Sequence, residues 1–187
     1  MFNSDLCLKA WLFASRKHNG QLYPGPERLP YLTHIGAVVL ELLPALLADA
    51  KLDADHALCC AILHDTVEDT ETMISEISSV FGEKAAAGVL ALTKDKCLKG
   101  EAAMSDSLER IRQQPYEVWA VKLADRSANL QTPPAHWSPE KCLSYAQEGR
   151  LILDALGEAS SHLADVLGSR IKKWEAGKDV LSRSSNR

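Results

Sequence analysis

The sequence predicts an all-α protein folded as a single helical bundle. Almost every segment repeats its apolar residues at helical period, no run alternates in the manner of a strand, and the breaks fall on Pro, Gly and capping residues. Residues 5–18 set Leu6, Ala10, Phe13 and Ala14 on one face. Residues 19–30 hold Gly20, Pro24, Gly25, Pro26 and Pro30, so they form an extended loop. A helix follows over 31–48, its start set by Pro30. Asp53 can cap the next helix, which carries Leu58, Ile62 and Leu63 up to His64-Asp65. Thr70 is expected to cap a helix running through Val80 and stopping near Gly82. Segments 83–93 and 101–113 read as helices joined by a charged linker. Pro115 can begin a helix passing Trp119, Val121 and Leu123 to Asp125 and Asn129, and Pro133-Pro134 ends it. Ser138-Pro139 is a cap and first position for a helix over 139–156, and 158–175 is the last helix. The expected domain covers 1–176, followed by a polar tail over 177–187.

The chain has 187 residues, enough to bury a core in one domain. A formal net charge of −4 argues against a nucleic-acid surface, which usually shows a basic excess. A local cation or a metal ion can still hold an anionic small molecule. The five cysteines are an odd number without Cys-x-x-Cys spacing, and adjacent Cys59 and Cys60 sit in an apolar run as small core residues. No basic region leads into an apolar stretch at the start. The most apolar segment, 37–47, is interrupted by Glu41 and Pro44 and is too short to span a bilayer. The expectation is a cytoplasmic protein with reduced thiols, no membrane partner and no nucleic acid.

The chemistry concentrates after the apolar run 57–63, where His64-Asp65 is followed by Thr66, Val67, Glu68 and Asp69. A buried carboxylate is costly unless it is paired or holds a cation. His34 and Asp125 each stand at the polar point of another apolar segment and can complete a metal site. On a helix, residues four apart share a face, which puts His64 with Glu68, Asp65 with Asp69, and Asp125 with Asn129. Two imidazoles and two carboxylates make a mixed nitrogen and oxygen set suited to Mn, Fe, Zn or Mg, with positions left for water and a phosphate oxygen. Glu68 and Asp69 have a second reading as acidic residues favouring a helix start, but Thr70 already suffices as a cap there.

The order His34, His64-Asp65, Asp125 on an all-helical domain resembles the HD superfamily of metal-dependent phosphohydrolases. The surrounding residues narrow the resemblance: His18-Asn-Gly-Gln21, Tyr31-Leu-Thr-His34, His64-Asp-Thr-Val-Glu68-Asp69, Phe81-Gly82, Thr93-Lys94 and Asp125-Arg-Ser-Ala-Asn129 are similar to the hydrolase domain of RelA/SpoT-type alarmone enzymes. It covers roughly residues 6–175 and leaves no room for a synthetase domain, so it implies a stand-alone small alarmone hydrolase. That family removes the 3′-pyrophosphate of ppGpp or pppGpp, usually with Mn²⁺. The resemblance makes His34, His64, Asp65 and Asp125 the metal ligands, and Glu68 and Asp69 the residues that activate or orient the attacking water. Asn129 and Thr132 would contact the nucleotide. The family's Arg-Lys pair after the glutamine is replaced here by Leu22 and Tyr23. Tyr23 is therefore expected to stack on the base and Lys94 to border the pocket, with guanine as the default purine and adenine open.

Two rival functions stand beside this one. A different HD phosphohydrolase would act on another nucleotide, and a catalytically inert domain would sense an alarmone and control a partner. Assembly into a homo-oligomer is open on sequence alone. His56, His136 and His162 read as surface or hydrogen-bonded core histidines, and His18 as a support of the loop. Arg126 reads as an ion-pair partner, and the four tryptophans as packing residues.

Overall fold

Asn3 accepts hydrogen bonds from the backbone of Asp5 and Leu6, opening helix α1 (Ser4–Lys17), whose fully buried face is Ala10 and Ala14. The computed structural model describes residues 2–25, 27–134 and 136–184, with side chains through residue 176. Pro26 of the expected loop and residues 185–187 of the expected tail lie outside it. After α1 the chain turns at Gly20, whose φ of +81° suits a residue without a Cβ. The loop then folds back on itself. Tyr23 N donates to Leu29 O at 2.8 Å and Tyr31 N to Gln21 O at 3.0 Å, around an antiparallel bridge between Leu22 and Pro30.

The chain continues through α2 (Leu32–Ala48), α3 (Ala54–Leu63), the short α4 (Thr66–Asp69), α5 (Ile74–Phe81), α6 (Glu83–Leu92), α7 (Gly100–Arg112), α8 (Tyr116–Asn129), α9 (Pro139–Leu156), a 3-10 turn at Gly157–Ala159 and α10 (Ser161–Ser184). Asp53 caps α3 by accepting His56 N, and Ser138 caps α9 by accepting Lys141 N, both as the sequence predicts. No described helix is long and apolar enough to cross a membrane. The five cysteines are all free, with Cys59 and Cys60 buried.

Two apolar clusters share α3. One joins it to α2, α8, α9 and α10 through Val38, Leu42, Leu123, Ile152 and Ile171; the other joins it to α1, α5 and α6 through Ala14, Ile62, Leu63, Ile77 and Val89. Every residue of α3 from His56 to Leu63, and of α8 from Glu117 to Ala128, is buried. Both helices therefore run through the centre of the bundle. Their polar residues are held at fixed positions by packing on all sides.

Two expectations about helix ends are corrected. Thr70 does not cap the helix through Val80: that helix begins at Ile74, with Met73 N donating to Glu76 Oε2. Residues 66–69 form their own turn first, and Thr70 Oγ1 closes it by donating to Thr66 O. The last helix begins after Ser160 rather than at 158, and its backbone continues to Ser184 instead of ending at 175. A single glycine at position 177 costs a helix only about 1 kcal/mol, too little to stop it.

Candidate metal centre and active site

Three central segments deliver the site: the first turn of α2 carries His34, the exit of α3 carries His64 and Asp65, and α8 carries Asp125 near its end. His34 Nε2 stands 3.5 Å from Asp65 Oδ2 and 3.4 Å from Asp125 Oδ1. His64 Nε2 stands 2.9 Å and 3.9 Å from the same two oxygens. Ligands about 2.1 Å from one ion and at right angles lie about 3 Å apart, so this spacing suits one shared cation. His34, His64 and Asp125 offer ligand atoms within 4.8 Å of one another, a group that can hold a divalent metal ion.

The hydrogen bonds test the fit. His64 Nδ1 lies 2.7 Å from Ala61 O, which can only accept, so Nδ1 carries the proton. In the neutral ring Nε2 then presents a lone pair to the carboxylates of Asp65 and Asp125. It is buried and has no hydrogen-bond partner. Lone pair facing lone pair is unfavourable unless a proton or a metal cation lies between, and a backbone-oriented imidazole is a common arrangement for metal ligands.

Without metal, protons fill that role. Burial works against charge on His34, but the Asp125 and Asp65 carboxylates outweigh it and hold the pKa up at about 9. Burial likewise opposes charge on His64, and Asp65 outweighs it, so its pKa is raised too. Desolvation pushes both carboxyls upward, yet His64 beside Asp65 and Lys122 beside Asp125 carry them well below the usual carboxylate range. A divalent cation bound here would displace such protons.

A ring of polar side chains fixes the two carboxylates. Tyr31 donates its hydroxyl to Asp65 Oδ2 at 2.6 Å, Lys122 Nζ donates to Asp125 Oδ2 at 3.0 Å, and Asn129 Nδ2 donates to Asp125 Oδ1 at 2.7 Å. Burial and the adjoining Asp65 carboxylate raise the Tyr31 pKa, which keeps this phenol a donor. Glu68 and Asp69 both lie on α4. Lys94 N donates to Glu68 Oε2 at 2.9 Å, with Lys94 Nζ 3.8 Å from Oε1, and Gln21 Nε2 donates to Asp69 Oδ2 at 3.0 Å. Tyr23 lays its ring parallel to the His34 imidazole, 5.7 Å between centroids and 5° between planes.

The structure thus gathers His34, His64, Asp65, Asp125, Asn129 and Tyr23 at one centre, with Lys94 joined to Glu68. Thr132 is exposed beyond the end of α8. Sequence reasoning missed the roles of Tyr31 and Gln21, whose partners lie far along the chain. The remaining histidines and Arg126 follow expectation. His56 is buried between Glu117 Oε1 and Lys84 O, His136 and His162 are exposed, and Arg126 pairs with Glu148 while covering the Tyr145 ring.

Residues 10–159 match the HD domain family. The chain belongs to that family. This HD domain is 30% identical over 160 residues to guanosine-3′,5′-bis(diphosphate) 3′-pyrophosphohydrolase MESH1 of Danio rerio, covering 83% of this chain and 86% of the relative. The human MESH1 protein is 30% identical over 171 residues, 89% of this chain and 93% of its own. A GTP pyrophosphokinase of Myxococcus xanthus is 35% identical over 153 residues, 77% of this chain but 19% of that much longer protein. The fold resembles the solved structure of a metazoan ortholog of SpoT that hydrolyzes ppGpp, with a TM-score of 0.79 at 24% identity over 92% of this chain and 97% of the other. Similarity along nearly the whole of both chains puts this HD domain with the MESH1 proteins.

Proposed function

We propose that the protein hydrolyses guanosine alarmones, converting ppGpp or pppGpp to GDP or GTP and pyrophosphate, with adenosine alarmones as further substrates and Mn²⁺ as its metal. The observation that carries this reading is the buried, cation-seeking convergence of His34, His64, Asp65 and Asp125 next to two carboxylates on α4, in a chain that matches MESH1 proteins along most of its length.

His34, His64, Asp65 and Asp125 hold the ion. When bound, a divalent cation supplies Lewis acidity, lowering the pKa of water and drawing charge from a phosphoryl oxygen. Glu68 takes the proton of the attacking water, and Asp69 orients that water from the neighbouring position. Water adds across the 3′ phosphate ester, freeing the 3′ hydroxyl and pyrophosphate. Lys94 offers its ammonium group to the phosphates, and Asn129 keeps an amide oxygen and a second hydrogen for the nucleotide. Tyr23 covers the base and Thr132 meets the nucleotide at the rim. Phosphoryl transfer asks little more than such positioning and positive charge.

The test is a product assay of the metal-loaded protein against ppGpp, pppGpp, ppApp and NADPH. Release of GDP and pyrophosphate from ppGpp is the expected result. Tight nucleotide binding without turnover would make the domain a sensor instead, and turnover of NADPH alone would move it to another HD phosphohydrolase activity.

A further inference from the structure

We infer that His18 is a positioning residue that fixes the Asp69 carboxylate through Gln21, and that the pair sets the turnover of the site; this rests on the role given to Asp69 above. Gln21 Nε2 donates to Asp69 Oδ2 at 3.0 Å, and Gln21 Oε1 lies 2.7 Å from His18 Nδ1. A carboxylate only accepts, so the amide must turn its nitrogen toward Asp69. Its oxygen then faces His18, whose Nδ1 must carry the ring proton. The direction of both hydrogen bonds is therefore dictated from the carboxylate back to the imidazole.

The imidazole cannot swing away. His18 is 4% exposed, and its ring lies on that of Tyr31 with centroids 4.8 Å apart and planes 25° apart. Tyr31 in turn donates to Asp65 Oδ2. One buried ring thus braces two carboxylates, Asp69 by hydrogen bonds through Gln21 and Asp65 by contact through Tyr31.

A simple loop brace would not need this arrangement. The turn after α1 is already closed by backbone bonds, Gln21 N to His18 O at 3.0 Å and Tyr31 N to Gln21 O at 3.0 Å. The side-chain bonds lead out of the loop and end on α4. Gln21 and Asp69 also line a cavity of about 440 Å³ together with Arg16, Lys17, Thr70 and Glu71. Asp69 is exposed, so the carboxylate they orient is open to water.

Two measurements test the inference. Histidine-selective nitrogen NMR of the metal-free protein should report His18 protonated at Nδ1, with that tautomer lost in Gln21→Ala. A His18 protonated only at Nε2 overturns the inference without reference to any substrate. In kinetics of the metal-loaded protein on ppGpp, Gln21→Ala and His18→Phe should each lower kcat about tenfold or more, with KM and metal affinity within about twofold. Phenylalanine keeps an aromatic ring against Tyr31 and removes the N–H donor to Gln21. In an Asp69→Ala background both substitutions should become silent, because the group they orient is gone; independent structural damage would instead multiply. Additive losses in that background, or wild-type kcat in Gln21→Ala, overturn the relay and leave Asp69 in its role. Wild-type turnover of Asp69→Ala itself overturns the role of Asp69 and the relay with it.

Discussion

Lys122 and Asp125 form a buried ion pair one helical turn apart on α8, Nζ to Oδ2 at 3.0 Å. The pair holds Oδ2 and leaves Oδ1 to face the imidazoles of His34 and His64. Removing one partner of a buried pair costs about 3–5 kcal/mol, because the other charge is stranded. A metal ion at Asp125 would supply the missing positive charge. Lys122→Met should therefore melt well below the wild type in chelator, and saturating Mn²⁺ should restore more stability to the variant than to the wild type. Thermal melts with and without metal check this; an equal deficit in both conditions would separate Lys122 from the metal centre.

Glu68 sits where replacement can separate chemistry from structure. Its carboxylate accepts Lys94 N at 2.9 Å, a bond that the oxygen of a glutamine amide can also accept. The amide cannot take a proton from water. Glu68→Gln should keep the metal-induced rise in melting temperature and lose turnover by about a hundred to ten thousandfold, the usual range for a general base. Near-wild-type kcat in metal-loaded protein would return Glu68 to the status of a helix-start residue.

The helices were legible because their apolar period is local, and the caps at Asp53 and Ser138 because each acts within three residues. The four proposed ligands stood out for the same reason: an ionisable side chain at the end of an apolar run, such as His64-Asp65 after 57–63, breaks a local pattern. Tyr31 and Gln21 broke none. Their partners, Asp65 and Asp69, lie 34 and 48 residues away, and contacts of that separation leave no periodic trace. Thr70 misled because a threonine that ends one short turn has the same local signature as one that begins a longer helix.

Gly88 on α6 packs directly against α3 and α8. A Cβ there would lie 2.6 Å from Cys60 Sγ and 3.2 Å from both His56 Nε2 and Val118 Cγ2. The helix would gain about 1 kcal/mol in propensity from alanine, but overpacking a closed core costs about 1–3 kcal/mol. Cys60 is buried and His56 is held by Glu117 and Lys84, so neither has room to give. Gly88→Ala should be net destabilising in denaturant melts, and Cys60→Ala in the same chain should recover part of the loss. A stabilised Gly88→Ala protein would mean that α6 stands farther from α3.

On the proposed reading, Tyr23 holds the purine without choosing between bases. One face of its ring lies parallel to His34, and the phenol stays neutral because burial and the Asp125 carboxylate both raise its pKa. The half-buried ring borders His34 on the side of the loop, and a base stacked on it would stand beside the proposed ligands. Stacking tolerates either purine, since each presents an aromatic face. Its loss costs about 1–3 kcal/mol per base, so Tyr23→Ala should raise KM about fivefold or more for ppGpp and ppApp alike, Tyr23→Phe should stay near wild type, and the metal-induced rise in melting temperature should persist in both. Unchanged KM for both nucleotides in Tyr23→Ala would move base recognition away from this loop, toward the lysines at 94, 96 and 99 between α6 and α7.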